Sequence, residues 1–103
     1  MRFTHQQGMR MPPQYVNALA LVANTHERQA IPSGYQYVVI NSTANIYCRL
    51  GDETVVASAP GDVVDGTASE LNPTGYVIHD DYSHISIISP ANCIVTLAYY
   101  PLS

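Results

Sequence analysis

From Ile31 onward the chain is a succession of short β-branched and aromatic runs separated by turn signals, with no helical period between them. This is the feature that most constrains the fold. Ile31-Pro32-Ser33-Gly34 is a turn, and Tyr35-Gln36-Tyr37-Val38-Val39-Ile40 reads as a strand that Asn41-Ser42-Thr43 breaks. Ala44 to Leu50 alternates at period two, with Ala44, Ile46, Cys48 and Leu50 on one face and Asn45, Tyr47 and Arg49 on the other. Gly51-Asp52 turns the chain into a further extended run, Glu53–Ala57. A loop rich in Gly and Pro then covers 58–75, within which Val63-Val64 suggests a brief pairing. Tyr76–His79, His84–Ser89 and Cys93–Tyr100 follow as strands, punctuated by Asp80-Asp81 and Pro90-Ala91-Asn92. Short strands at this spacing predict an all-β domain, a small antiparallel β-sandwich or jelly-roll-like barrel.

The first thirty residues are less regular. Residues 1–13, closed by Pro12-Pro13, cannot continue a ladder and read as an extended N-terminal arm, leaving 14–103 as a single β-sandwich domain. Tyr15, Leu19 and Val22 have helical spacing, but Asn17 and Asn24-Thr25 are poor helix formers. A strand near Ala18–Ala23 is the better expectation. The predicted last strand is apolar on both faces, Cys93, Val95, Leu97 and Tyr99 on one and Ile94, Thr96, Ala98 and Tyr100 on the other. Such a strand either lies centrally between layers or meets another subunit.

Charge narrows the function. Of 103 residues only 12% are charged, against about a quarter in an average soluble domain. The four basic residues, Arg2, Arg10, Arg28 and Arg49, are scattered and outnumbered by eight acids. A sequence-independent nucleic-acid binder needs a clustered basic face, so no nucleic-acid partner is expected. No apolar run approaches the ~20 residues of a membrane span, and the N-terminus lacks a compact apolar signal region, so no membrane partner is expected either. A surface with so few charges points instead to one shared with other subunits.

The chemistry-bearing residues form no recognisable machinery. Cys48 and Cys93 each sit inside an apolar run and read as small buried hydrophobes. His79-Asp80-Asp81-Tyr82-Ser83-His84 is the only dense polar constellation, and its spacing matches no established ligand pattern, whereas Asp80-Asp81 suits a β-turn. His5 and His26 read as solvated arm or edge residues. No nucleophile elbow and no phosphate loop occurs, and the loop acids Asp62, Asp65 and Glu70 do not follow an EF-hand pattern. Neither a catalytic site nor a metal or other cofactor is expected, and the protein is read as a non-enzyme.

Four stretches, Ile31–Val39, Ala44–Arg49, His84–Ile88 and Cys93–Leu97, together resemble a group of small tailed-bacteriophage proteins. That group shares a strand opening of the type (I/V)PAG-x-(Y)-V, a TAD-x-Y-V-K-x-G strand and a closing VTLAFY-like hairpin. The resemblance covers roughly residues 28–100, consists of turn and core positions, and carries no catalytic motif. It implies a virion structural protein, a capsid decoration or cement protein that binds and stabilises the assembled head. The implied partners are the major capsid protein and copies of itself, as a dimer or trimer, on the capsid surface of a virion made in the host cytoplasm. The arm departs from the group, which is shorter there. Contacts are expected from Phe3, Met9, Arg10 and Met11 in the arm and from Tyr99, Tyr100 and Leu102 at the C-terminal edge. Alternatives are a head–tail connector or fibre-base component, or a β-sandwich module binding host-surface glycan.

Overall fold

The computed structural model describes residues 13–59, 61–79 and 81–101. The arm contacts Phe3, Met9, Arg10 and Met11, together with Leu102, His5 and Asp80, lie outside the described residues. The described chain forms eight strands and no helix: β1 Tyr15–Leu21, β2 Glu27–Ala30, β3 Tyr37–Ser42, β4 Tyr47–Gly51, β5 Glu70–Leu71, β6 Gly75–Val77, β7 His84–Ile88 and β8 Cys93–Tyr100. Among these residues no helix is long and apolar enough to cross a membrane.

The strands pair in two four-stranded sheets, β1-β8-β3-β6 and β2-β7-β4-β5, with every pairing antiparallel. The first strand pairs with the last, the second with the seventh, the third with the sixth and the fourth with the fifth. The chain is thus a long two-stranded ribbon rolled on itself, closed by the β8–β3 and β7–β4 ladders. This is jelly-roll topology, and it fulfils the all-β sandwich expectation.

Period-two alternation decides what each sheet buries. Leu21, Val38, Ile40, Cys93, Val95, Leu97 and Tyr99 of the first sheet pack against Ile46, Cys48, Ile85 and Ile87 of the second. Fully burying one such aliphatic chain stabilises by about 1.5–3 kcal/mol. The inward face predicted for Ala44, Ile46, Cys48 and Leu50 is the observed one, with Ile46 and Cys48 buried and Asn45 and Arg49 exposed. Both cysteines are buried, as read from sequence, and both are free thiols. Burial, with the nearby Glu70 charge secondary, pushes the Cys48 thiol up to about 12.

Several boundaries differ from expectation. β1 begins three residues before the predicted strand and ends at Leu21, because Asn24 adopts a left-handed conformation (φ 62°) in the turn that returns Thr25 N–H to the Val22 carbonyl. Glu53–Ala57 is not a strand. Asp52 instead accepts from both the amide and the hydroxyl of Thr54, and Arg28 Nε donates to the Val55 carbonyl, which folds the segment over the second sheet. Val63-Val64 makes no pairing, and Val64 is exposed. β2 and β5, absent from the sequence reading, are an edge strand each.

Candidate docking face

The two sheets divide the charge between them. The strands of β2-β7-β4-β5 carry Glu27, Arg28, Arg49, Glu70 and His84, while no Asp, Glu, Lys, Arg or His occurs in β1, β8, β3 or β6. On the outer side of the uncharged sheet the registers set out a grid. Val16, Ala98, Val39 and Gly75 form one row, and Tyr100, Tyr37 and Val77 the row beside it. Ala18, Thr96 and Asn41 form the next, followed by Ala20 and Ile94. Val16 is 52%, Ile94 45% and Val77 74% exposed. An exposed sheet face normally alternates towards polar residues, and this one does not.

The other sheet's outer side is covered over β7, although Arg28, Arg49 and Leu71 remain exposed. Ser86, fully buried there, accepts the Ala57 N–H at 2.8 Å and lies 3.0 Å from Nδ1 of His26. The segment after β4 is therefore pinned across β7, and Ala57 is buried beneath it. His26 is half-buried in this arrangement rather than solvated. The charges gather on this side, where Asp65 is held below the usual carboxylate range by its hydrogen bonds from Thr67, with Arg49 a smaller influence.

At the β3–β6 end of the uncharged face is a shallow dish of about 300 Å³, lined by Tyr37, Val38, Val39, Thr74, Gly75, Tyr76 and Val77. Gly75 creates it. A Cβ at that position would collide with the Val38 carbonyl oxygen, so glycine permits the close approach of β6 to β3 and leaves no side chain in the dish. The rings of Tyr37 and Tyr100 stack at its margin, with centroids 5.0 Å apart and planes within 9°.

The residues expected to make contacts are differently placed. Tyr99 is fully buried, in a cluster with Tyr15 and Tyr35 at centroid separations of 5.9 and 6.2 Å. It belongs to the core, because β8 is a central strand and Tyr99 points inward. Its hydroxyl has no hydrogen-bond partner among the described residues, and burial pushes it up to about 12. Tyr100 is on the outer face but only 3% exposed, packed against Tyr37. Neither side chain offers surface to a partner; Val16, Ile94 and Val77 do. Sequence reasoning missed those three because it assigned no strands to common sheets.

The polar constellation resolves into a turn. His79 Nδ1 accepts the Asp81 N–H at 3.3 Å and lies 3.3 Å from its carboxylate, while His84 Nδ1 lies 2.8 Å from the Ser83 hydroxyl. The two imidazoles have separate partners. Among the described residues, no group of three or more His, Cys, Asp or Glu side chains could hold a metal ion.

Comparison with known proteins gives no match to a family model, a curated protein or a solved structure.

Proposed function

We propose that this chain is a non-enzymatic virion protein that decorates an assembled capsid, docking on the shell through the outer face of β1-β8-β3-β6. The observation that carries this reading is the segregation of charge. Every Asp, Glu, Arg and His of the strands lies on one sheet, and the other sheet turns a face without formal charge, largely apolar, outward. A face of this kind loses little on desolvation and is suited to a protein surface rather than to phosphate or water. The choice of the major capsid protein as partner rests on the likeness of the strand motifs to those of small phage proteins.

The 24 residues of the four strands, at ~4.8 Å spacing and ~3.4 Å rise, give a footprint of about 400 Å². That is about half of the ~800 Å² per partner found in stable one-to-one complexes. A single copy therefore holds weakly, and a lattice of copies holds by multiplicity. Because the protein binds the assembled shell and not its loose subunits, occupancy stabilises the shell by mass action.

The test is co-sedimentation with empty heads built from the shell protein encoded alongside this chain, comparing wild type with Val77→Asp and Ile94→Asp. Wild-type protein is expected at hundreds of copies per head, with a raised shell melting temperature. Each variant should lose at least tenfold in occupancy while keeping its own thermal midpoint. Wild-type occupancy by both variants would overturn the docking face. A dozen or fewer copies per particle would move the protein to the neck or tail.

A further inference from the structure

A sheet has edges, and an edge with free N–H and C=O groups is a template for another strand unless it is short, charged or interrupted. This fold has four edges. β5 has two residues, β6 has three, and β2 has four that include Glu27 and Arg28. β1 is different: seven residues, Tyr-Val-Asn-Ala-Leu-Ala-Leu, with no charge and no proline. Among the described residues no strand pairs with its outer side.

The ladder fixes which of its groups are free. Thr43 N–H donates to the Ile94 carbonyl, one step beyond the Ser42↔Val95 pair that ends the β3–β8 register. Bonded and non-bonded pairs alternate along an antiparallel ladder. Thr96, Ala98 and Tyr100 therefore bond towards β3, and Cys93, Val95, Leu97 and Tyr99 bond towards β1. Their partners Leu21, Leu19, Asn17 and Tyr15 are thereby satisfied, leaving the backbone groups of Val16, Ala18 and Ala20 aimed at the open edge.

We propose that β1 pairs with β1 of a second copy about a two-fold axis through Ala18, joining two four-stranded sheets into one of eight strands. The pattern is self-complementary. Ala18 opposes Ala18, and Val16 opposes Ala20, so each outward-aimed residue faces another and each such pair exchanges two hydrogen bonds. Faces also match, since Tyr15 then stands opposite Leu21 and Asn17 opposite Leu19, all on the inner side. No charge meets a like charge across the seam, and the small Ala18 and Ala20 side chains leave the backbones free to approach. The axis is perpendicular to the sheet, so both uncharged outer faces point the same way. Two footprints of about 400 Å² then form one surface near the ~800 Å² of a stable contact. A second copy fits better than an unrelated peptide because this register satisfies every free group of the edge with its own equivalent. The edge argument stands independently of capsid docking.

Sedimentation velocity on the full chain from ~10 μM to ~1 mM tests it, with Ala18→Lys and Ala18→Glu made separately and then mixed. Ala18 is exposed on an edge, so both variants should retain the wild-type CD spectrum and thermal midpoint. Wild type is expected to dimerise reversibly, and each variant alone to do so at least tenfold more weakly, because two like charges then face one another at the axis. The mixture should recover a heterodimer. Ala18→Pro, tolerated where the edge N–H is free, should be monomeric. A wild-type protein monomeric at ~1 mM would overturn the proposal. So would a dimer indifferent to all three substitutions, which would place the contact on the arm or another face. Loss of capsid binding with dimerisation intact would sink the docking reading and leave this one standing.

Discussion

The hydroxyl of Tyr76 donates a 2.7 Å hydrogen bond to Oε1 of Glu70, a side-chain link between the last strands of the two sheets beside the short connection, residues 72–74, that joins them. Tyr76 lies on β6, the last strand of the uncharged sheet, and Glu70 on β5, the last strand of the charged one. The only carboxylate in the strands besides Glu27 thus closes the mouth of the sandwich opposite β1. Tyr76→Phe should cost about 1–2 kcal/mol in urea denaturation, the low end for a bond to a charged acceptor because the bond is exposed. A loss below about 0.3 kcal/mol would show that the bond does not hold the mouth shut.

Alkaline stability should fall in a defined window. The folded state holds Cys48 and Tyr99 each at about 12, and raises Tyr76 further, with burial the largest cause in all three. A group raised on folding keeps its protonated form longer in the native state, so its contribution is whole below the unfolded value. It is lost as pH rises towards the folded one. For Cys48 that window runs from 9.0 to about 12. Thermal midpoints should be level to pH 8.5 and then decline, with Cys48 alone responsible for about 2–3 kcal/mol by pH 11. Cys48→Val should delay the onset to the tyrosine range; a decline starting at the same pH in that variant would refute the assignment.

Gly75→Ala places a methyl group against the Val38 carbonyl and must push β6 away from β3. The expected cost is about 1–3 kcal/mol. Gly61→Ala, whose Cβ would meet open space, is the matched control and should stay within about 0.5 kcal/mol of wild type. Equal stability of the two variants would remove the steric argument for the dish.

Asn72 and Ile46 bond reciprocally: the Asn72 N–H reaches the Ile46 carbonyl at 2.8 Å, and the Ile46 N–H reaches Asn72 Oδ1 at 2.9 Å. Asn72 does this at φ 49°, in the left-handed region. Asn72→Ala loses both the side-chain acceptor and the conformational tolerance, at about 2–3 kcal/mol; Asn72→Gly restores only the second and should recover about 1 kcal/mol. If glycine is no better than alanine, the backbone conformation contributes nothing measurable.

Ser86→Ala would leave the buried Ala57 N–H without its acceptor, at a cost of about 1–3 kcal/mol. Hydrogen exchange is the sharper readout. Amides of residues 53–59 should lose protection by at least tenfold while β8 keeps its own, since the second sheet's cover would open without unfolding the core.

The strands were legible in proportion to their burial. Cys93–Tyr100 is recovered residue for residue and His84–Ile88 nearly so, because central strands of a sandwich need continuous apolar runs. Glu27–Ala30 escaped because an edge strand with one neighbour has no such requirement, and Glu-Arg-Gln-Ala carries no period. The two-faced apolarity of β8 was correctly seen, but it has two causes that a sequence does not separate. Tyr99 is apolar surface for the core, whereas Ile94 on the opposite face remains exposed. The docking face itself depends on which strands share a sheet, a long-range fact. The trace of it in the sequence was that charged and uncharged strand segments already formed two groups.

The absence of Asp, Glu, Lys, Arg and His from β1, β8, β3 and β6 has a thermal consequence. An attachment made by such a face has no Debye length to shorten and no proton to lose, so raising salt or changing pH between 5 and 8 leaves it intact. Apolar association weakens on cooling, and sulfate strengthens it. Cold, rather than brine or acid, is the condition under which this protein should let go.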